Sequence, residues 1–132
     1  MALPSLPFAR FTSSRQLLPG SRENDVADLL TSFQGNIVAL AGGARTGSPV
    51  LNATFCELTS VVTGSDSVQL PVAKVGLSVT VTNSGGNAAQ VFANGTDTIN
   101  GTAGATGVNL ANNATALFEC TKNGVWKRYV SA

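Results

Sequence analysis

The chain has 132 residues, eight Lys and Arg against seven Asp and Glu for a net charge of +1, 43% hydrophobic residues and only 11% charged ones. That length suits one compact domain with an appendage, and so high an apolar share argues against solvated disorder. The near-zero charge leaves no broad electrostatic footprint for nucleic acid or an anionic membrane. Histidine is absent, which excludes serine–histidine and cysteine–histidine nucleophile pairs and removes the commonest metal ligand. The cysteines, Cys56 and Cys120, have no CxxC spacing and read as packed thiols, with a disulfide open only if their strands are neighbours. No convincing targeting signal opens the chain, and no run approaches the roughly 18 apolar residues of a membrane span.

Residues 1–22, MALPSLPFARFTSSRQLLPGSR, carry three of the five prolines and no acid, and read as an extended N-terminal arm. Fully extended, such an arm reaches on the order of 70 Å, several times the roughly 14 Å radius of gyration of a compact domain this size. Its apolar groups Phe8, Phe11, Leu17 and Leu18 alternate with Arg10 and Arg15. They either grip a neighbouring molecule or fold back over the chain's own core.

A short helix is expected over about 24–34, within a domain spanning 23–132. Asn24 can cap it, Asp25 and Asp28 suit the positive end of the helix dipole, and Gly35 stops it. Val26, Leu29, Leu30 and Phe33 recur at helical spacing and give it one buried face.

From Asn36 onward the apolar period shortens to two, with Gly, Asn, Thr and Ser at short intervals, the pattern of an all-β domain. Strands are expected around 36–41, 54–62 and 67–70, the last either ended by Pro71 or placed by it at a sheet edge. The clearest is 76–83, where Leu77, Val79 and Val81 alternate with Ser78, Thr80 and Thr82; a turn through 83–87 then leads into 88–93. The stretch 93–107 is rich in turn formers, with a short strand at Thr98 and Ile99. Asp97 is its only carboxylate, too few for a calcium loop. Lys122-Asn123-Gly124 between the β-like runs 114–121 and 125–131 is a strong hairpin signal, with Trp126 and Tyr129 on opposite faces. Lys127 and Arg128 also divide between the faces and read as surface or edge gatekeepers.

Seven or eight such strands imply an antiparallel β-sandwich of jelly-roll type. No catalytic residue, cofactor or metal site is expected. Glu57 and Glu119 are the one acidic pair that a glycosidase reading would use, and their strand neighbours mark them instead as solvent-facing.

The order of the pieces LLPGSRENDVADLLTSFQGNIVALAGG, DSVQLP, GLSVTVTNSGGNAAQVFANGTDTING and ATALFECTKNGVWKRY, from about Leu17 to Tyr129, resembles small structural proteins of tailed bacteriophages. The resemblance implies a capsid decoration, or cement, protein. Such a protein would be made in the host cytoplasm and sit on the outer capsid surface of the virion. It would form a homo-oligomer, with a trimer favoured, whose N-terminal arms clamp adjacent subunits of the major capsid protein. The clamp residues would be Phe8, Arg10, Phe11, Arg15, Leu17 and Leu18, aromatics filling pockets and arginines pairing with carboxylates. A second reading is a tail-fibre or glycan-binding recognition module that presents Trp126, Tyr129 and the Asn-rich loops to a host surface.

Overall fold

The computed structural model describes residues 32–131, an all-β unit with no helix among them. Ten strands follow in order: β1 (Phe33–Val38), β2 (Phe55–Ser60), β3 (Asp66–Gln69), β4 (Ser78–Asn83), β5 (Ala89–Phe92), β6 (Thr98–Ile99), β7 (Thr102–Ala103), β8 (Val108–Leu110), β9 (Thr115–Lys122) and β10 (Val125–Val130). They form a seven-stranded sheet A, ordered β1-β2-β4-β9-β10-β6-β7, and a three-stranded sheet B, ordered β3-β5-β8.

From β2 to β5 the chain alternates between the sheets, so each strand in one sheet is the crossover that returns the chain to the other in the same direction, and between β1 and β2 that crossover is reduced to the Val50 bridge. As a result β1, β2 and β4 run parallel in sheet A while β3 and β5 run parallel in sheet B. Val50 adds a parallel bridge to Gln69 at the edge of sheet B. Phe33 pairs with Phe55, and Phe55 with Thr80, so one turn of the coil takes about 22 to 25 residues, within the range of a solenoid repeat. The second half of the chain then reverses. β8 lies antiparallel on β5, and the β9–β10 hairpin lies antiparallel on β4, with β6 joining parallel to β10 and β7 folding back on β6.

The expected all-β class with two sheets is present, but the antiparallel jelly roll is not. Parallel pairing of successive coils replaces it, giving the organisation of a short β-solenoid. Period-two alternation looks the same in parallel and antiparallel strands with one buried face, so it carries no information on direction. The expected helix is corrected at its end: Phe33 and Gln34 are paired strand residues of β1. The rest of that helix, and the arm over 1–22, lie outside the described residues.

The core lies between the sheets. Leu58, Val81, Phe118 and Trp126 from sheet A meet Val68, Val91 and Leu110 from sheet B, all with no more than trace exposure. Polar side chains hold the corners. Asn83 is fully buried and donates from Nδ2 to the carbonyls of Asn87 (2.8 Å), Leu110 (3.0 Å) and Ala111 (3.3 Å), while its Oδ1 accepts from the Gly85 amide at 2.9 Å. Asp66 closes the turn between β2 and β3, accepting from the Val62 amide (2.9 Å), the Thr63 amide (3.0 Å), the Thr63 hydroxyl (2.6 Å) and the Gly42 amide (3.3 Å). Those donors, the Thr63 hydroxyl first, hold its carboxyl below the usual carboxylate range.

The outer side of sheet B is covered by loops. The Ser48 and Ser67 hydroxyls lie 2.7 Å apart and both reach the Ala44 carbonyl, and Gln90 Nε2 donates to the Thr106 carbonyl at 2.9 Å. Among the described residues no loop covers the outer side of sheet A in this way.

Candidate interaction face

Alternation decides what the outer side of sheet A presents. In β4, Val79, Val81 and Asn83 point inward and Ser78, Thr80 and Thr82 outward; in β9, Ala116, Phe118 and Cys120 point inward and Thr115, Leu117 and Glu119 outward. Register then lines these positions up across strands. Phe33 pairs with Phe55, Phe55 with Thr80, Thr80 with Leu117, and Leu117 with Tyr129. The outcome is one row over five neighbouring strands, apolar or aromatic except for a single threonine at its centre.

This row is open to solvent. Phe33 is 64% exposed, Phe55 47% and Tyr129 56%, and Leu117 is half-buried. The backbone shapes it at the edge strand: a β-carbon at Gly35 would lie 2.7 Å from Cε2 of Phe33, so the glycine lets the Phe33 ring lie back along its own strand. Asn36 follows with a φ of 57°, where the pairing of β1 with β2 also shifts register. A bulge at that point disrupts the edge as a template for another strand. The exposed rings, rather than the β1 edge, are therefore what this end of sheet A offers a partner.

Two polar rows flank the apolar one. Glu57 lies in register with Thr82 and Thr115 on one side, and Ser78 with Glu119 and Lys127 on the other. Glu119 and Lys127 are directly paired across β9 and β10, so opposite charges face each other there.

The positions singled out from sequence divide clearly. Phe8, Arg10, Phe11, Arg15, Leu17 and Leu18 lie outside the described residues. Glu57 and Glu119 are not brought together: they sit two strands and two rows apart, on the order of 15 Å by strand geometry, beyond the roughly 5 to 10 Å of a glycosidase pair. Asp97 holds backbone, its Oδ2 accepting from the Ala73 amide at 2.8 Å. Cys56 and Cys120 are both free and buried on strands separated by β4, and burial pushes the Cys56 thiol up.

Trp126 is fully buried while Tyr129 is exposed, the expected division between faces. Only Tyr129 of the two is placed to meet a surface. Arg128 lies on β10 beyond its pairing with β6, where its backbone amide donates to Asn100 Oδ1 at 3.0 Å and its Nη1 to the Asn109 carbonyl at 2.7 Å. Sequence reasoning missed Phe33 and Phe55 as members of a face. Register across strands far apart in the chain creates that face, and no local pattern reports it.

The chain matches no protein-family model and no curated protein.

Proposed function

We propose that this chain is a structural protein that works by binding other proteins, and specifically a capsid decoration, or cement, protein of a tailed bacteriophage. The observation that supports this reading best is the open apolar row Phe33-Phe55-Thr80-Leu117-Tyr129, since a contiguous exposed apolar patch marks an interaction surface. Low overall charge and the use of Asp66 and Asp97 to hold backbone fit a passive surface part. The phage-like order of sequence pieces supplies the setting.

In that setting the N-terminal arm clamps adjacent major capsid subunits through Phe8, Arg10, Phe11, Arg15, Leu17 and Leu18. A protein that binds only the mature shell stabilises that state by mass action. Association of its copies multiplies the arms and slows detachment.

The test uses heads of the encoding phage assembled without the chain. Added full chain is expected to sediment with them saturably and raise the temperature at which they come apart. A variant with Phe8, Arg10, Phe11 and Arg15 all changed to Ala is expected to lose that binding while keeping its own melting temperature. Failure of the unaltered chain to bind heads would overturn the reading.

A further inference from the structure

We infer that the outer face of sheet A is the surface through which two copies of this chain pair, Phe55 of one copy lying over Leu117 of the other. The inference deepens the proposed function and rests on its reading of this face as a protein-contact surface.

Three observations select a second copy as the occupant. The first is the symmetry of the row, bulky on both sides of a small centre: Phe33 and Phe55, then Thr80, then Leu117 and Tyr129. A two-fold axis in the plane of the face, parallel to β4 and passing over Thr80, sets Leu117 of the second copy against Phe55 and Tyr129 of the second copy against Phe33. It also brings the two Thr80 residues together, leaving room for the larger groups beside them. An isologous contact requires each pair to occur twice, as Phe55 with Leu117 and Phe33 with Tyr129 do about this axis.

The second observation is charge. On the same axis Glu57 faces Thr115 of the second copy rather than an acid, and Glu119 keeps Lys127 of its own copy beside it. A chain of net charge +1 also has little long-range repulsion to hold its copies apart.

The third is size. Five strands at about 4.8 Å spacing and about 20 Å length give a face of roughly 500 Å² per copy, hence roughly 1,000 Å² for a pair, the lower bound of a specific interface. A ring of three sheets would give each contact only about half of each face, below that bound. The two faces would stack as aligned sheets do, about 10 Å apart.

The experiment measures native mass of the full chain by sedimentation over a concentration series up to about 100 µM, for the unaltered chain, Phe55→Lys, Leu117→Glu and an equimolar mixture of the two variants. Both positions lie on the outer face away from the core, and circular dichroism checks that each variant keeps its strands. The expected results are a mass of two chains for the unaltered protein, at least about 100-fold weaker association for each variant alone, as loss of a central anchor gives, and renewed pairing in the mixture. A mass of one or of three for the unaltered chain overturns the inference. So does a pair that both substitutions leave intact, or two folded monomeric variants that fail to pair when mixed. A single-chain mass in a protein that still binds heads overturns the pairing alone, and a pair that never binds heads overturns the cement reading alone.

Discussion

A β-carbon added to Gly85 would lie 2.6 Å from the backbone nitrogen of Val61 and 2.5 Å from its Cγ2. The two residues are stacked corners of successive turns of the coil, joined by a hydrogen bond from the Val61 amide to the Gly85 carbonyl at 3.0 Å. Gly85→Ala is therefore expected to push the corners apart and cost about 2 to 3 kcal/mol, as overpacking does. Gly64 has open space around it and no positive φ, so Gly64→Ala should be neutral or slightly stabilising through the unfolded chain. Thermal melts of the two variants should move in these different ways.

Asn83 makes a second such corner, tying β4 to the loops before β5 and before β9. Removing its side chain leaves the buried Leu110 carbonyl and the Gly85 amide without their side-chain partner. Asn83→Ala should cost about 2 to 4 kcal/mol in urea unfolding. Asn83→Asp should be at least as damaging at neutral pH, because it aims a carboxylate at three carbonyl oxygens.

The pH dependence of stability should show Asp66. Its folded carboxyl titrates below the ordinary value of about 3.9, so the unfolded chain takes up the proton first as pH falls. The contribution is complete above that value and is lost as pH drops through the lower, folded one. The urea midpoint of the unaltered chain should exceed that of Asp66→Asn at pH 7, and the gap should narrow as pH falls below about 4.

Cys56 and Cys120 should stay reduced. Their strands β2 and β9 are separated by β4, about two strand spacings or 9.6 Å, beyond the reach of a disulfide. Thiol labelling should be slow in the native chain, should reach both cysteines in urea, and should leave no intramolecular cross-link to be released by reductant.

Strand character and burial were legible in the sequence; direction and register were not. The alternation of Val79 and Val81 with Thr80 and Thr82 reads directly as one buried and one open face. The Asn123-Gly124 hairpin also forms, although only Gly124 takes a positive φ while Asn123 Oδ1 accepts from the Val75 amide at 2.9 Å. The three-residue strand β8, in a Gly- and Asn-rich stretch, exists because β5 offers it an edge, which is a tertiary fact. Phe33 shows the same limit: its spacing with Leu29 and Leu30 suits a helix, but pairing with Phe55 places it on a strand. The row of five residues is a product of four separate registers, so it emerges only when the strands are assembled.

The central claim is that the outer side of sheet A meets a protein. Hydroxyl-radical footprinting of the full chain, dilute, concentrated and bound to heads, tests it most directly. Labelling of Phe33, Phe55 and Tyr129 should fall on concentration and stay low on heads, while Val62 and Val75, at least as exposed but on loops, should keep theirs when the chain is merely concentrated. Labelling of the three aromatic residues that is the same in all three samples would contradict the account.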